Sequence, residues 1–371
     1  MNKKEIAEIK KILKKTENCA VSRIAVCYVS GDHEIISKNK SAFLSLEEEE
    51  AFKYCDLFTK GLSGAPNKNQ INLSFPLKSN TEIGKDFLYK LLKSQAMDDG
   101  LLDTLYDKII NTYYCEGNYA ILIAYGDYDI PGKTTDGATL DDGSVDVYSF
   151  MQILLCPVSQ TKPGLAFSEK DDRFIDSPQE WMIQKPETGV LYPSFNDRAT
   201  DLNECLYFQK KPAEPHEEII EEILGCEVPT EPDSQASLFT NAVEQALGDA
   251  CTVEDIMQVQ ENVAAFQAEK EANGETAEIT QADMKRLFNN TDASNDDVEA
   301  VVKSVYEDDP QIQASNCVAN KTVVQTNGVT ITATPEYAKL IETKMIDGVP
   351  CVVIPASIGE MTVNGIKVNK I

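Results

Sequence analysis

Apolar positions recur at two different spacings along the chain, and the change of spacing divides it. Near the start, Ile6, Ile9 and Leu13 fall at helical intervals behind Asn2, a side chain suited to capping a helix. Residues 23–30 (RIAVCYVS) then predict a strand, and Gly31-Asp32 a turn into a second short one. Ser45 and Glu48 have the spacing of a capping box, which predicts a helix from there to about Gly61. Residues 71–75 predict a strand, and 85–93 and 101–112 two helices broken at Asp98-Asp99-Gly100. Residues 118–125 (NYAILIAY) are an apolar run of strand length. Such a run fits a strand buried on both faces at the centre of a sheet. Residues 147–157 are similar, 165–174 predict a hairpin around Lys170-Asp171-Asp172, and 205–209 close the region. Trp181 and the many Tyr and Phe residues are read as core.

Beyond residue 212 strand signals stop. Pro215 predicts a helix that Gly225 ends. Thr252 caps a long helix with Val253, Ile256, Met257, Val263 and Phe266 on one face, and Thr280 and Asn295 begin two shorter ones. After residue 320 the pattern turns to strands around three dipeptides, Asn327-Gly328, Asp347-Gly348 and Asn364-Gly365. Asn-Gly and Asp-Gly readily take the positive φ of a two-residue hairpin turn. The expected fold class is α+β: a mixed α/β domain over 1–212, a helical region over 213–320 and a β-hairpin-rich meander over 321–371. About 50 residues bury little surface alone, so the last module is expected to pack on a neighbour.

Charge sharpens these divisions. The chain has 371 residues, 34 basic against 61 acidic, for a net charge of −27. Between residues 213 and 320 there are 25 acidic and four basic residues, so most of the excess belongs to the helical region. This balance argues against direct nucleic-acid or anionic-membrane binding, because phosphate would be repelled. Residues 1–16 carry Lys or Glu every few positions, unlike the apolar stretch of a signal peptide, and no apolar run approaches a membrane span. A cytoplasmic location is expected. The ten cysteines contain no C-x-x-C pair, so they are read as reduced, small apolar residues. With two histidines, His33 and His216, and no G-x-S-x-G or H-E-x-x-H motif, His-dependent triads and zinc hydrolysis lose support.

Two polar segments remain as candidates. Residues 126–134 (GDYDIPGKT) follow the apolar strand but do not make a phosphate loop. Five residues separate the glycines where four are needed, and Asp127 and Asp129 would repel the anion. Those two carboxylates, expected just beyond a strand end, could instead hold Mg²⁺ or Mn²⁺, with Lys133 close by. Asp136, Asp141, Asp142 and Asp146 follow, and the plainer reading is a solvated acidic loop. Residues 195–201 (FNDRATD) pack Asn196, Asp197, Arg198 and Asp201 together. Arg198 could orient an anion in bidentate fashion, or an Arg–Asp pair could simply pin the loop. Six lysines between residues 3 and 15 make the first helix basic. A lysine-fringed helix docked on the first domain is preferred there over membrane contact.

Several blocks together resemble a known family. They are MNKKEIAEIKK, AFLSLEEEEAFKYCDLFTKGLSG, DYDIPGKT, CPVSQTKPGL, SFNDRATDLNECLYF, ETKMIDGVPCVVIPA and VNGIKV. In this order they resemble an uncharacterised bacterial family, found mainly in clostridia and their relatives and catalogued as a domain of unknown function. The resemblance implies a bacterial cytosolic origin and transfers no activity, cofactor or catalytic residue. The preferred reading is a non-catalytic interaction protein without a cofactor, whose acidic helices dock a basic protein partner. The alternative is a metal-dependent hydrolase of phosphoesters, using the 127–129 and 196–201 segments with Mg²⁺ or Mn²⁺.

Overall fold

The side chain of Asn2 accepts hydrogen bonds from the Lys4 and Glu5 amides, and Glu5 returns its carboxylate to the Asn2 N–H. This capping box opens helix α1 (Lys3–Ile12), which buries Ile6, Ile9 and Ile12. The computed structural model describes residues 1–14, 19–76, 82–133, 139–168, 170–307, 310–319, 321–326, 328–355, 362–363 and 366–367. Met1–Pro232 form one compact unit and Asp233–Ile371 a second.

In the first unit, β1 (Val21–Val29) and β2 (Ile35–Ala42) make a hairpin, followed by α2 (Glu48–Lys60), β3 (Gln70–Ser74), α3 (Lys85–Ser94) and α4 (Asp99–Thr112). The long strands β4 (Tyr119–Lys133) and β5 (Thr139–Gln160) come next. They lead to a separate hairpin of β6 (Gly164–Ser168) and β7 (Arg173–Ser177), then to β8 (Trp181–Ile183) and β9 (Thr188–Tyr192). A small hairpin of β10 (Ser194–Asn196) and β11 (Ala199–Asp201) precedes β12 (Glu204–Gln209). Eight strands form one sheet in the order β2-β1-β4-β5-β9-β12-β3, with β8 also on β5, and every pairing is antiparallel.

Side chains alternate across a strand, so a sheet covered on both faces needs strands apolar at every position. β4 shows this. Tyr119, Ile121, Ile123 and Tyr125 enter one core with α3, α4 and a π-helix over Ile219–Leu224. Ala120, Leu122 and Ala124 enter the other, beneath α1 and α2. At the sheet edge, Lys38 and Lys40 of β2 pair with Asp103 and Asp99 of α4, each at 2.6 Å.

Three expectations are corrected here. Ser45 does not cap α2. Phe43–Ser45 form a 3-10 turn that buries Phe43, and the Ser45 hydroxyl donates back to the Ala42 carbonyl at 2.7 Å. Trp181 is not core but 52% exposed. β8 pairs only with the last three residues of β5, and of its side chains Ile183 alone packs toward a core. Residues 213–232 carry seven of the glutamates assigned by charge to the helical region, yet they lie with the sheet, because Ile219, Ile220, Ile223 and Leu224 seal its first core.

The second unit opens with α5 (Pro232–Leu247), which the sequence pattern did not announce. It packs with α6 (Val253–Asn273), α7 (Gln281–Leu287), α8 (Asn295–Val305) and α9 (Ala314–Cys317) around Phe239, Val263, Met284, Val302 and Ile312. Capping boxes at Thr252 with Asp255 and at Thr280 with Asp283 start α6 and α7, and Ser294 caps α8. The chain then forms β13 (Thr322–Thr326) with β14 (Val329–Ala333), a turn of helix α10 (Pro335–Ala338), and β15 (Glu342–Ile346) with β16 (Val349–Val353). Last come β17 (Thr362–Val363) and β18 (Ile366–Lys367). Each hairpin is a two-stranded sheet of its own. Asp347 and Gly348 both take positive φ, 52° and 80°, as the two-residue turn predicts. Asn327 and the Asn364-Gly365 pair lie outside the described residues. This segment leans on α6, where Glu254 accepts hydrogen bonds from Thr343 N and Oγ1 and Glu261 pairs with Lys339. Among the described residues no helix is long and apolar enough to cross a membrane.

Candidate functional site

β4 does not end at Tyr125. It continues to Lys133 while β5 pairs with it from Thr139, so Asp127 and Asp129 sit within a strand and not beyond one. Gly126 has a packing role: a Cβ there would collide with the Ala20 carbonyl oxygen and the Phe150 ring. Asp127 and Asp129 are exposed on the face that carries α3 and α4. Asp127 Oδ1 accepts from Ser149 Oγ at 2.5 Å and Oδ2 from Gln95 Nε2 at 3.2 Å. The backbone of Lys133 pairs with Thr139, and its side chain lies outside the described residues, as do Asp136 and the side chains of Asp141 and Asp142. Among the described residues, no three His, Cys, Asp or Glu side chains converge on a point that would hold a metal ion.

The second candidate is built on the other face. Asn196 pairs with Ala199, leaving Asp197 and Arg198 as a two-residue turn with φ of 49° and 57°. Both residues are left-handed, as a type I′ turn requires. Asp tolerates this conformation. Arg does so only at a cost of roughly 1–2 kcal/mol. Helix α1 supplies what holds the turn. The Asp197 N–H donates to Glu5 Oε1 at 2.8 Å, and Arg198 Nε and Nη2 reach Glu8 Oε1 at 3.3 and 3.0 Å. Arg198 Nη2 also donates to the Pro131 carbonyl at 3.2 Å. Tyr128 donates its hydroxyl to the same Glu8 oxygen at 2.8 Å. Burial first, and then the Glu8 carboxylate, push the Tyr128 hydroxyl up to about 12. Burial pulls the Arg198 guanidinium down, but Glu8 and Tyr128 more than offset it and hold it above its usual value. Behind the turn, Asn196 Nδ2 bridges Asp201 Oδ2 at 3.0 Å and Glu204 Oε2 at 2.8 Å. The Met1 amine donates to Asn72 Oδ1 at 2.7 Å, which fixes the start of α1 to β3.

The structure therefore gathers Asn196, Asp197, Arg198 and Asp201 into one cluster, and it leaves Asp127 and Asp129 out. The carboxylates project from one face of the β4–β5 ribbon and the guanidinium lies on the other, with Tyr128 and Tyr148. The arrangement that phosphoester hydrolysis would need, two carboxylates and an arginine around one phosphate, is not assembled. Within the cluster, Arg198 already has its carboxylate partner. Its chemistry is that of a clamp joining the β10–β11 turn to α1. Sequence reasoning missed Glu5, Glu8 and Tyr128. The spacing of Asn2 and Glu5 carried part of that signal, and Glu8 lies one turn further along the same side of the helix.

Residues 1–366 match the model of a family described as Domain of unknown function (DUF4317). The chain belongs to that family. No curated protein matches it. The match spans both structural units.

Proposed function

We propose that the chain is a cytoplasmic, non-catalytic interaction protein whose acidic helices dock a basic protein partner. One observation carries this reading: the second unit's exposed carboxylates exceed what its own cations can neutralise. On α5–α8 and the turns between them, Glu244, Asp249, Glu269, Glu278, Asp292 and Asp296 are exposed and make no ion pair among the described residues. The helices' own cations are largely committed, Lys270 to Glu275, Lys285 to Glu299 and Arg286 to Asp283.

Part of the acidity has internal work. Asp255, Asp283 and Asp297 complete helix caps, and Glu254 and Glu261 hold the β15 segment. The docking charge is drawn from the remainder, which includes the six residues named above. Such a surface raises association rates and gives affinity that falls steeply with salt. The test is co-purification from native extract at low and at high salt, with the wild type and with Glu244, Asp249, Asp292 and Asp296 all changed to Lys. A basic protein retained only at low salt, and lost from the quadruple variant, supports the proposal. Absence of any reproducible basic partner at low salt refutes it.

A further inference from the structure

Two thiols lie in contact on the α1/α2 face of the first unit. Cys19 Sγ is 4.0 Å from Cys55 Sγ, with no disulfide between them. Cys55 sits on the buried side of α2, 3% exposed. Cys19 is only half-buried and lies just before β1, outside any helix or strand. Thiol and neighbour thus have unequal access to solvent: one sulfur can be reached by a small oxidant, and the other waits behind it. That is the arrangement of an attacking and a resolving cysteine. A disulfide needs the sulfurs at about 2.05 Å, so they must close by roughly 2 Å. Cys19 belongs to no helix or strand, so rotation of its side chain and a small shift of its backbone can supply this movement while α2 stays in place.

We propose that Cys19 and Cys55 form a reversible disulfide, with a small-molecule disulfide such as oxidised glutathione as the oxidant class. The Cys19 thiolate attacks one sulfur of the oxidant, forming a mixed disulfide and releasing one glutathione thiolate. The Cys55 thiolate then attacks the Cys19 sulfur and releases the second. Two protein thiols are oxidised, one external disulfide is reduced to two thiols, and the two protons pass to the released thiolates. The bond staples the connection between α1 and β1 to α2 and so stiffens the layer from which Glu5 and Glu8 hold the β10–β11 turn.

The molecule contains its own comparison. Cys226 lies near enough to Cys205 to add to the rise that burial gives its thiol, but both are buried, so oxidant reaches them only when the core opens. The experiment incubates the reduced full-length chain with oxidised glutathione and follows the products by non-reducing peptide mass spectrometry. The expected result is a transient glutathione adduct on Cys19, then a Cys19–Cys55 crosslink that forms before any other. It should be reversed by dithiothreitol and raise Tm by several degrees. In Cys55→Ser the adduct on Cys19 should accumulate, and in Cys19→Ser Cys55 should stay reduced. A wild-type protein that stops at the Cys19 adduct, leaves Cys19 unmodified, or links Cys205 to Cys226 first overturns the proposal.

Discussion

At Arg198 the backbone is strained while the side chain is well partnered. Its φ of 57° is costly for a residue with a Cβ, and its guanidinium pairs with Glu8. Both side chains are about a quarter exposed, at 21% and 26%, so water screens the pair only in part. Arg198→Ala keeps the backbone strain and loses the ion pair, and is expected to destabilise the first unit by about 1–2 kcal/mol in urea unfolding. Arg198→Gly loses the same pair but relaxes the turn, so it should be milder than Ala by about 1 kcal/mol. If the two variants are equally destabilised, the left-handed turn is not the source of strain. Tyr128 adds a pH signature. Its folded value of about 12 lies above the ordinary 10, so the neutral phenol contributes stability that is complete below pH 10 and disappears as pH rises through 12. Tyr128→Phe is expected to reduce the loss of stability across that window, read as the difference in urea midpoints between the two proteins. Other buried tyrosines titrate high as well, and the wild-type comparison subtracts them.

At the scale of elements, Asp255 shows how an acidic residue can serve the fold. Burial opposes its charge, but the Thr252 hydroxyl at 2.5 Å and the Asp292 N–H at 2.9 Å outweigh burial and hold its carboxyl below the usual range. A depressed carboxyl gives stability that is present at neutral pH and lost as pH falls through the carboxylate range. Asp255→Ala should cost about 1–3 kcal/mol at pH 7, measured by hydrogen exchange across α6, and should lessen the acid sensitivity of that helix. Capped helices of this kind were legible in the sequence, because Asn2, Thr252 and Thr280 each stand three residues before an acid and open an apolar period. The same motif at Ser45 misled, since burial of Phe43 turned the hydroxyl elsewhere. Helix α5 is hard to read from sequence because Ala242 and Ala246 dilute the apolar period that Phe239, Val243 and Leu247 set on its core side. The outer half of β4 reads as a loop in sequence because it contains Gly126, Pro131 and Gly132. The ladder absorbs Pro131 and Gly132 through register shifts on either side of Pro131, where a strand can accept proline. Of the candidate site, the 196–201 cluster was legible as a concentration of polar types. Its partners on α1 were not, because the contact from Glu8 to Arg198 spans 190 residues of sequence and depends on the strand order.

For the whole molecule, a charge of −27 on one chain is a repulsive load. Most ion pairs are exposed and contribute little, so screening is expected to relieve more repulsion than it removes attraction. Tm should therefore rise by a few degrees as sodium chloride goes from low concentration to about 0.5 M, where the Debye length is shorter than most spacings between surface charges. A Tm that falls over this range would mean that the ion pairs outweigh the excess charge. The lone tryptophan, Trp181, stands half-exposed in the first unit, so its fluorescence follows that unit while exchange in α6 follows the other.

Of the sheet's two edge strands, β2 pairs on one side only among the described residues, which leaves backbone amides for a strand that approaches. On β2 those amides are flanked by Lys38 and Lys40, whose ammonium groups are tethered to carboxylates of α4. A strand from a neighbouring molecule would have to pull both lysines away and lie between their charges before it gained one ladder bond. The sheet thus stops growing at that side by design of its side chains, and crowding the protein should not turn this border into a seed for fibres.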